Sequence, residues 1–163
     1  MELPDILQRI INEGDASGCF GSKEYQDAMT AYYKIHMCRL DPSPDCMNRS
    51  MEKFGSEVYE QMWGPGEFTI MGNLKGYERV DLLKEISVQT LFTCGRYDES
   101  TPSTTAYYQS MLPGSEIVVF EDAAHQHHLE KPGKYIEVVR NFINKTENRQ
   151  MFNAPLNPIP LKN

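Results

Sequence analysis

The fold is decided by residues 88–125, VQTLFTCGRYDESTPSTTAYYQSMLPGSEIVVFEDAAH, which contain two short apolar runs. The first run covers 88–93 and the second covers 117–120. Continuous apolar runs bounded by turn residues are typical of strands buried on both faces of a parallel sheet. The segment between them predicts a helix over 102–111, because Thr101 can cap it and a proline occupies its first turn, where no amide donor is lost.

A second helix follows the second strand. The apolar positions of residues 133–145 recur at three- and four-residue steps, which indicates one buried helical face. Residues 87–145 therefore predict a strand–helix–strand–helix order, which is the edge of a parallel α/β sheet. Two strands are too few to stand alone as such a sheet. The last stretch, 147–163, is rich in proline and asparagine and is predicted to be a disordered tail.

The first half of the chain predicts helices and loops. Residues 3–13 carry a helical apolar stripe, and the glycine-bounded segment 14–18 is predicted to break it. Residues 23–40 place apolar side chains on one helical face and are followed by two prolines. Residues 46–62 are predicted to be helical too, and 63–68 should form a shaped loop because two glycines flank a proline there.

The composition narrows the class of protein. The chain has 163 residues, with 40% hydrophobic and 24% charged, so a packed core can form. Its net charge of −7 argues against a nucleic-acid surface. No apolar run approaches the ~20 residues that span a bilayer, and the N-terminus lacks the pattern of a signal peptide. We therefore expect a cytoplasmic protein without membrane contact. Its cysteines are scattered and predicted to be free thiols: Cys19, Cys38, Cys46 and Cys94.

Two polar residues follow the predicted strands. Asp98 lies in the loop after the first strand, and His125 lies in the loop after the second. Because the carboxyl ends of parallel strands meet at one edge of a sheet, these side chains should lie close together. A carboxylate in that position can accept the imidazole proton and fix the tautomer of a base. Each residue alone is common on a surface loop, and it is the paired placement that favours a catalytic role.

The segments around this pair resemble those of a known superfamily. The stretch GRYDESTP at 95–102, with Pro-Gly-Ser at 113–115 and Ala-His at 124–125, looks like the C-terminal part of an α/β-hydrolase. The order of aspartate before histidine is also that of this superfamily. GPGEFTI at 64–70, together with Tyr-Asp-Glu at 97–99, resembles more closely the proline iminopeptidases of the tricorn-interacting type.

The resemblance runs over about residues 3–145 and implies a partial α/β-hydrolase fold. The segments EYQ at 24–26 and HMCRL at 36–40 look like the family's helical cap. The implied organisation is a helical cap over 1–75, followed by the last parallel strand–helix units of the core over 76–146.

The resemblance also implies an activity and its residues. Proline iminopeptidases release an N-terminal residue, often proline, from short peptides with a free N-terminus by serine hydrolysis. By this match Asp98 orients the catalytic histidine and His125 is the general base. Glu67 and Glu99 match the carboxylates that hold the substrate's amino group, and paired carboxylates suit a cationic terminus because they form charge-assisted hydrogen bonds with it. For Glu67 a solvated loop glutamate is the alternative.

The nucleophile is missing from this pattern. The family's serine lies on a G-x-S-x-G turn between a strand and a helix, and the sequence contains no such motif, nor the H-G-G-P-type loop that supplies oxyanion donors. We therefore expect the chain alone to be inactive. No cofactor is implied. The histidines of the His125-Gln126-His127-His128 segment lack a fourth ligand at a known spacing, so no metal is expected.

Two alternatives remain at this stage. Other α/β-hydrolases, such as esterases and epoxide hydrolases, would share Asp98 and His125. The chain could instead be a non-catalytic interaction fragment. Its exposed sheet edge would then need a partner, because an unpaired edge associates with other chains.

Overall fold

The computed structural model describes residues 3–153 of the chain and the side chains of residues 3–148. The first part holds α1 (Asp5–Ser17), α2 (Lys23–His36), α3 (Asp45–Glu52) and α4 (Ser56–Met62). A 3-10 helix, Val80–Glu85, follows. The second part holds β1 (Leu91–Gly95), α5 (Pro102–Ser110), β2 (Glu116–Phe120), α6 (His127–Glu130) and α7 (Pro132–Asn153). We call residues 3–75 the cap region and residues 76–153 the strand region.

The strand region confirms the predicted strand–helix–strand unit. Strands β1 and β2 pair in parallel, with Leu91 opposite Glu116 and Gly95 opposite Phe120. Helix α5 connects them and contacts both strands. It begins as the sequence predicts, because the Thr101 hydroxyl accepts a hydrogen bond from the amide of Thr104 at 3.2 Å. The added element is the one-turn helix α6, which occupies part of the predicted loop after β2.

The cap region contains a buried hydrophobic cluster, which forms between α1 and α2. Its members are Ile11, Tyr25, Ala28 and Met29. The prediction that the first helix breaks at Gly14 is wrong. Helix α1 continues to Ser17 and ends at Gly18, whose φ of 71° is in the left-handed region that favours glycine. Gly14 lies against the Tyr25 ring, and a Cβ there would be 2.3 Å from Cδ2 of that ring. The missing side chain of Gly14 therefore allows α1 and α2 to approach closely.

Two other helical segments differ from the prediction. Helix α2 ends at His36 instead of 40, because the carbonyl of His36 accepts the amide of His125 at 3.0 Å and not one further along its own helix. The segment 46–62 forms two helices separated at 53–55. Gly55 is a poor helix former, and neither helix has a buried residue that would hold them as one.

The last helix is longer than predicted. Helix α7 runs to Asn153, so the expected disordered tail over 147–163 is wrong for 147–153. Residues 154–163 lie outside the described residues. The apolar pattern ends at Ile143, and the continuation contains the good helix formers Glu147, Arg149 and Gln150.

The strand region leaves several apolar side chains exposed. Val88, just before β1, is 71% exposed. Other exposed apolar side chains of this region are Tyr77, Leu82, Ile86, Tyr107, Ile136 and Ile143. Within residues 3–153 the sheet has two strands, so one edge of β1 has no strand beside it. None of the helices in that range combines the length and the apolar character that a bilayer span requires.

Candidate active site

The loops that follow β1 and β2 are joined by backbone hydrogen bonds. The amide of Arg96 donates to the carbonyl of Phe120 at 2.9 Å, and the amide of Tyr97 donates to that of Ala123 at 3.0 Å. The two loops touch at Gly95, where a Cβ would lie 2.3 Å from the carbonyl oxygen of Ala124. This contact requires glycine and brings the residues after both strands together.

Asp98 and His125 meet at this junction, as the sequence predicts. Oδ1 of Asp98 is 3.0 Å from Nδ1 of His125. The carboxylate also accepts the amides of Gly95 at 3.2 Å and Ser100 at 2.9 Å, and its side chain is only 3% exposed. The His125 side chain is 44% exposed. Because Nδ1 donates to the carboxylate, the neutral ring has Nε2 as its basic atom.

Asp98 and His125 each stabilise the charged form of the other. Burial alone would raise the pKa of Asp98, but hydrogen bonds from His125, Ser100 and Gly95 hold the pKa of this carboxyl below its usual value. The hydrogen bond to Asp98 raises the pKa of His125 against the opposing effect of burial, and the charges of Asp98 and Glu99 add to the rise. The arrangement thus favours an imidazolium hydrogen-bonded to a carboxylate.

The cap region is attached directly to this site. The amide of His125 donates to the carbonyl of His36 at 3.0 Å, and the amide of Gln126 donates to that of Met37 at 2.8 Å. The His36 ring packs against Tyr32, with centroids 4.7 Å apart. It also makes a hydrogen bond, because Nδ1 lies 2.8 Å from the carbonyl oxygen of Tyr97.

Glu67 is held in the cap region by aromatic donors. Oε2 accepts the hydroxyl of Tyr33 at 2.9 Å and that of Tyr59 at 3.3 Å. The indole of Trp63 donates to the Glu67 backbone carbonyl at 2.9 Å. Burial and the charge of Glu67 raise the pKa of Tyr59 to about 12, and burial with the hydrogen bond to Glu67 raises the pKa of Tyr33 as well. Both hydroxyls therefore keep their protons and donate to the carboxylate.

Glu99 lies on the other side of the same site. Its Oε1 is 3.9 Å from Nδ1 of His125. Burial raises the pKa of Glu99, the charge of His125 opposes that rise, and the charges of Glu67 and Asp98 add to it. Two adjacent carboxylates thus act on one histidine, and the pKa of Glu99 is raised while that of Asp98 is lowered. A cation placed near Glu67 and Glu99 would relieve this repulsion.

A cavity of about 880 Å³ lies between the cap region and the loop after β2. Glu67 and His125 both line it. The α3 side of its wall is largely apolar and includes Met47, Met51 and, just beyond the helix, Phe54. A charged carboxylate and an exposed imidazole therefore open into one space whose remaining wall suits apolar groups.

The other histidines of the 125–128 segment take structural positions. His127 is buried, stacks on Phe120 with centroids 4.8 Å apart, and its Nε2 is 3.0 Å from the hydroxyl of Thr93. His128 lines the cavity. In the part of the chain that the structure describes, no group of three histidine, cysteine or acidic side chains is arranged to hold a metal ion.

The structure therefore brings together Asp98, His125 and Glu99, and places Glu67 on the same cavity. Sequence reasoning missed Tyr59, whose hydroxyl supports Glu67 across the loop from α4. Tyr33 and Trp63 also contact Glu67. No local pattern distinguishes these aromatic residues from core residues, because their role depends on where the 63–68 loop folds.

The chain is similar to proline iminopeptidases in both sequence and structure. It is 39% identical over 144 residues to a proline iminopeptidase of Heyndrickxia coagulans, covering 88% of this chain and 50% of that protein. It is 37% identical over 151 residues to one of Saccharolobus solfataricus, covering 92% and 49%. The crystal structure of a proline iminopeptidase of Mycobacterium smegmatis matches with a TM-score of 0.80 at 30% identity, over 90% of this chain and 50% of that one.

The matches cover most of this chain but only part of each relative. The chain spans about half the length of the curated relatives it matches. No family model matches the sequence. The resemblance inferred from the motifs at 64–70 and 95–102 is confirmed, and so is the partial α/β-hydrolase fold.

Proposed function

We propose that this chain carries the residues of a serine aminopeptidase that bind the substrate and transfer protons. The proposal rests on its homology, over most of its length, to the proline iminopeptidases of the α/β-hydrolase superfamily. The reaction would release an N-terminal residue, often proline, from a short peptide. The observation that carries the proposal is the hydrogen-bonded Asp98–His125 pair, whose histidine opens into the same cavity as Glu67.

The proton steps follow from the geometry of the pair. In the proposed reaction Nε2 of His125 takes the proton of a serine hydroxyl as the oxygen attacks the peptide carbonyl. The resulting imidazolium is stabilised by Asp98, which stays ionised, and then gives its proton to the leaving amine. Water repeats the sequence on the acyl-enzyme, and the free amino acid leaves. The low pKa of Asp98 and the raised pKa of His125 both support this assignment.

The amino-terminal specificity would come from Glu67 and Glu99. An exopeptidase must recognise a cationic terminus, and a carboxylate recognises it through charge-assisted hydrogen bonds. Glu67 is held in place by two tyrosine hydroxyls before any substrate arrives, so little ordering is needed on binding. Glu99 lies near His125, where it would face the residue whose carbonyl is attacked.

The nucleophile would come from a polypeptide that corresponds to the other half of the relatives. The sequence has no G-x-S-x-G turn, and we propose that the 163-residue chain has no turnover alone. Its partner would pair with the free edge of β1, since such an edge is a template for another strand, and would cover exposed apolar residues of the strand region. We place the activity in the cytoplasm, where thiols stay reduced, and all four cysteines are unpaired here.

Peptide binding by the chain itself tests the amine-reading part of the proposal. We would titrate prolyl-alanine amide and its N-acetyl form into the 15N-labelled chain and follow the backbone resonances. We expect the free amine to shift the resonances near Glu67 and His125, and acetylation to weaken binding by about tenfold, because a charged hydrogen bond contributes roughly 1.5 kcal/mol or more. Equal binding of both forms would remove the aminopeptidase assignment and favour an esterase or another α/β-hydrolase.

A further inference from the structure

We propose that His36, at the end of α2, is a positioning residue that holds the loop of Asp98 in register with His125. Its backbone carbonyl accepts the amide of His125 at 3.0 Å, and its ring Nδ1 lies 2.8 Å from the carbonyl oxygen of Tyr97. One residue of the cap region thus bonds to both loops of the strand region that carry the pair.

The donor and the acceptor of the hydrogen bond between His36 and Tyr97 follow from its atoms. A carbonyl oxygen can only accept, so Nδ1 of His36 must carry the proton. The backbone of Tyr97 is then held on both sides: its carbonyl accepts from His36, and its amide donates to the carbonyl of Ala123. The guanidinium of Arg39 lies 4.0 Å from the centroid of the Tyr97 ring and adds a cation–π contact from the same segment.

This arrangement lets the cap region set the geometry of the pair. Tyr97 directly precedes Asp98, so moving its peptide moves the carboxylate relative to His125. The same helix carries Tyr33, one turn earlier, which holds Glu67. Helix α2 therefore connects the proposed amine site to the proposed base. The consequence for catalysis rests on the proposed function, whereas the positioning itself does not.

Two substitutions separate the hydrogen bond from the packing of the ring. His36→Phe keeps an aromatic ring beside Tyr32 and removes the donor. His36→Asn removes the ring and keeps an N–H on Cγ, where Nδ1 was attached. The readout is the pKa of His125 measured by NMR titration of the full chain, because general destabilisation of a chain that remains folded does not change that value.

We expect His36→Phe to lower the pKa of His125 by about half a unit or more, since a carboxylate that moves away stabilises the imidazolium less. We expect His36→Asn to leave it within about 0.2 unit of the unsubstituted chain. An unchanged value in the phenylalanine variant, or equal decreases in both variants, would overturn the proposal.

A measurement on the unsubstituted chain covers the case in which the variants do not fold. The 15N shifts of the His36 ring report its tautomer, and the hydrogen bond to Tyr97 requires the proton on Nδ1. A neutral ring protonated on Nε2 would contradict the proposal. Neither readout involves a peptide, so failure of peptide binding and failure of this inference are distinguishable.

Discussion

The cap region and the strand region differ in how completely each surrounds its functional residues. Glu67 has all three of its hydrogen-bonding aromatic partners within the cap region. Asp98 and His125 meet at one end of a two-stranded sheet, where backbone hydrogen bonds join the two loops that carry them. The proposed amine-recognition residue is therefore supported within one region, whereas the proposed base is positioned by contacts between two loops and the cap region.

The largest effect should follow from closing the contact between the two loops. In Gly95→Ala the new methyl group would lie 2.3 Å from a backbone oxygen, which cannot move without moving the loop of His125. We expect the free energy of unfolding to fall by about 3 kcal/mol and the His125 pKa to return toward its ordinary value. Urea unfolding and NMR titration measure these effects.

Gly133→Ala is the control for this substitution. No atom lies near the position of the added methyl group, and the residue is in the first turn of α7. Its stability should be equal or slightly higher, because alanine favours a helix over glycine. If Gly95→Ala behaved like this control, the tight contact between the loops would be wrong.

A smaller loss is expected from the matching substitution in the cap region. Gly14→Ala would place a methyl group 2.3 Å from the Tyr25 ring and separate α1 from α2. We expect a loss of about 2 kcal/mol, since a side chain yields more readily than a backbone oxygen. Gly21→Ala, which meets no atom, is the control. NMR of the two glycine variants sharpens the contrast, because Gly95→Ala acts directly on the loop of His125, whereas Gly14→Ala can reach His125 only through α2. We therefore expect the larger shift of the His125 ring resonances in Gly95→Ala, and equal shifts in both variants would contradict this expectation.

The amine-reading role of Glu67 predicts a change in affinity without a change in fold. Glu67→Gln keeps the shape of the side chain and removes its charge. We expect binding of prolyl-alanine amide to weaken about tenfold, or ~1.4 kcal/mol, in the same NMR titration. Glu60→Gln, on the exposed surface of α4, should bind as the unsubstituted chain does. Equal loss in both variants would point to net charge instead of a specific contact.

The smallest effect is a pH dependence that arises from Glu99. Its pKa is raised above its ordinary value of 4.5, so it gains a proton while Asp98, whose pKa is lowered, remains ionised. Affinity for the peptide amine should therefore fall a few-fold as the pH decreases from 7 through the raised pKa of Glu99, because the neutral acid no longer attracts the ammonium. Glu99→Gln should abolish this step. A step of the same size in that variant would assign the dependence to another group.

The sequence predicted the strand region better than the cap region, for physical reasons. Strands β1 and β2 and helix α5 follow from local apolar runs and a capping threonine. The positions of Asp98 and His125 then follow from the rule that parallel strands end at one edge. In the cap region the helix ends depend on contacts between regions, such as the bond that ends α2 at His36. Glu67 and Glu99 become candidates only through family resemblance, and the support from Tyr59 depends on tertiary structure.

We propose that this chain supplies the base of a serine hydrolase but not its nucleophile. We would mix it with the separately produced N-terminal half of the Heyndrickxia coagulans relative and measure release of the chromophore from a proline arylamide. We predict no turnover by either part alone, turnover by the mixture, and its loss by at least about 10³-fold with His125→Ala, as expected for removing a triad base. Turnover by the 163-residue chain alone that is abolished by His125→Ala would contradict the account.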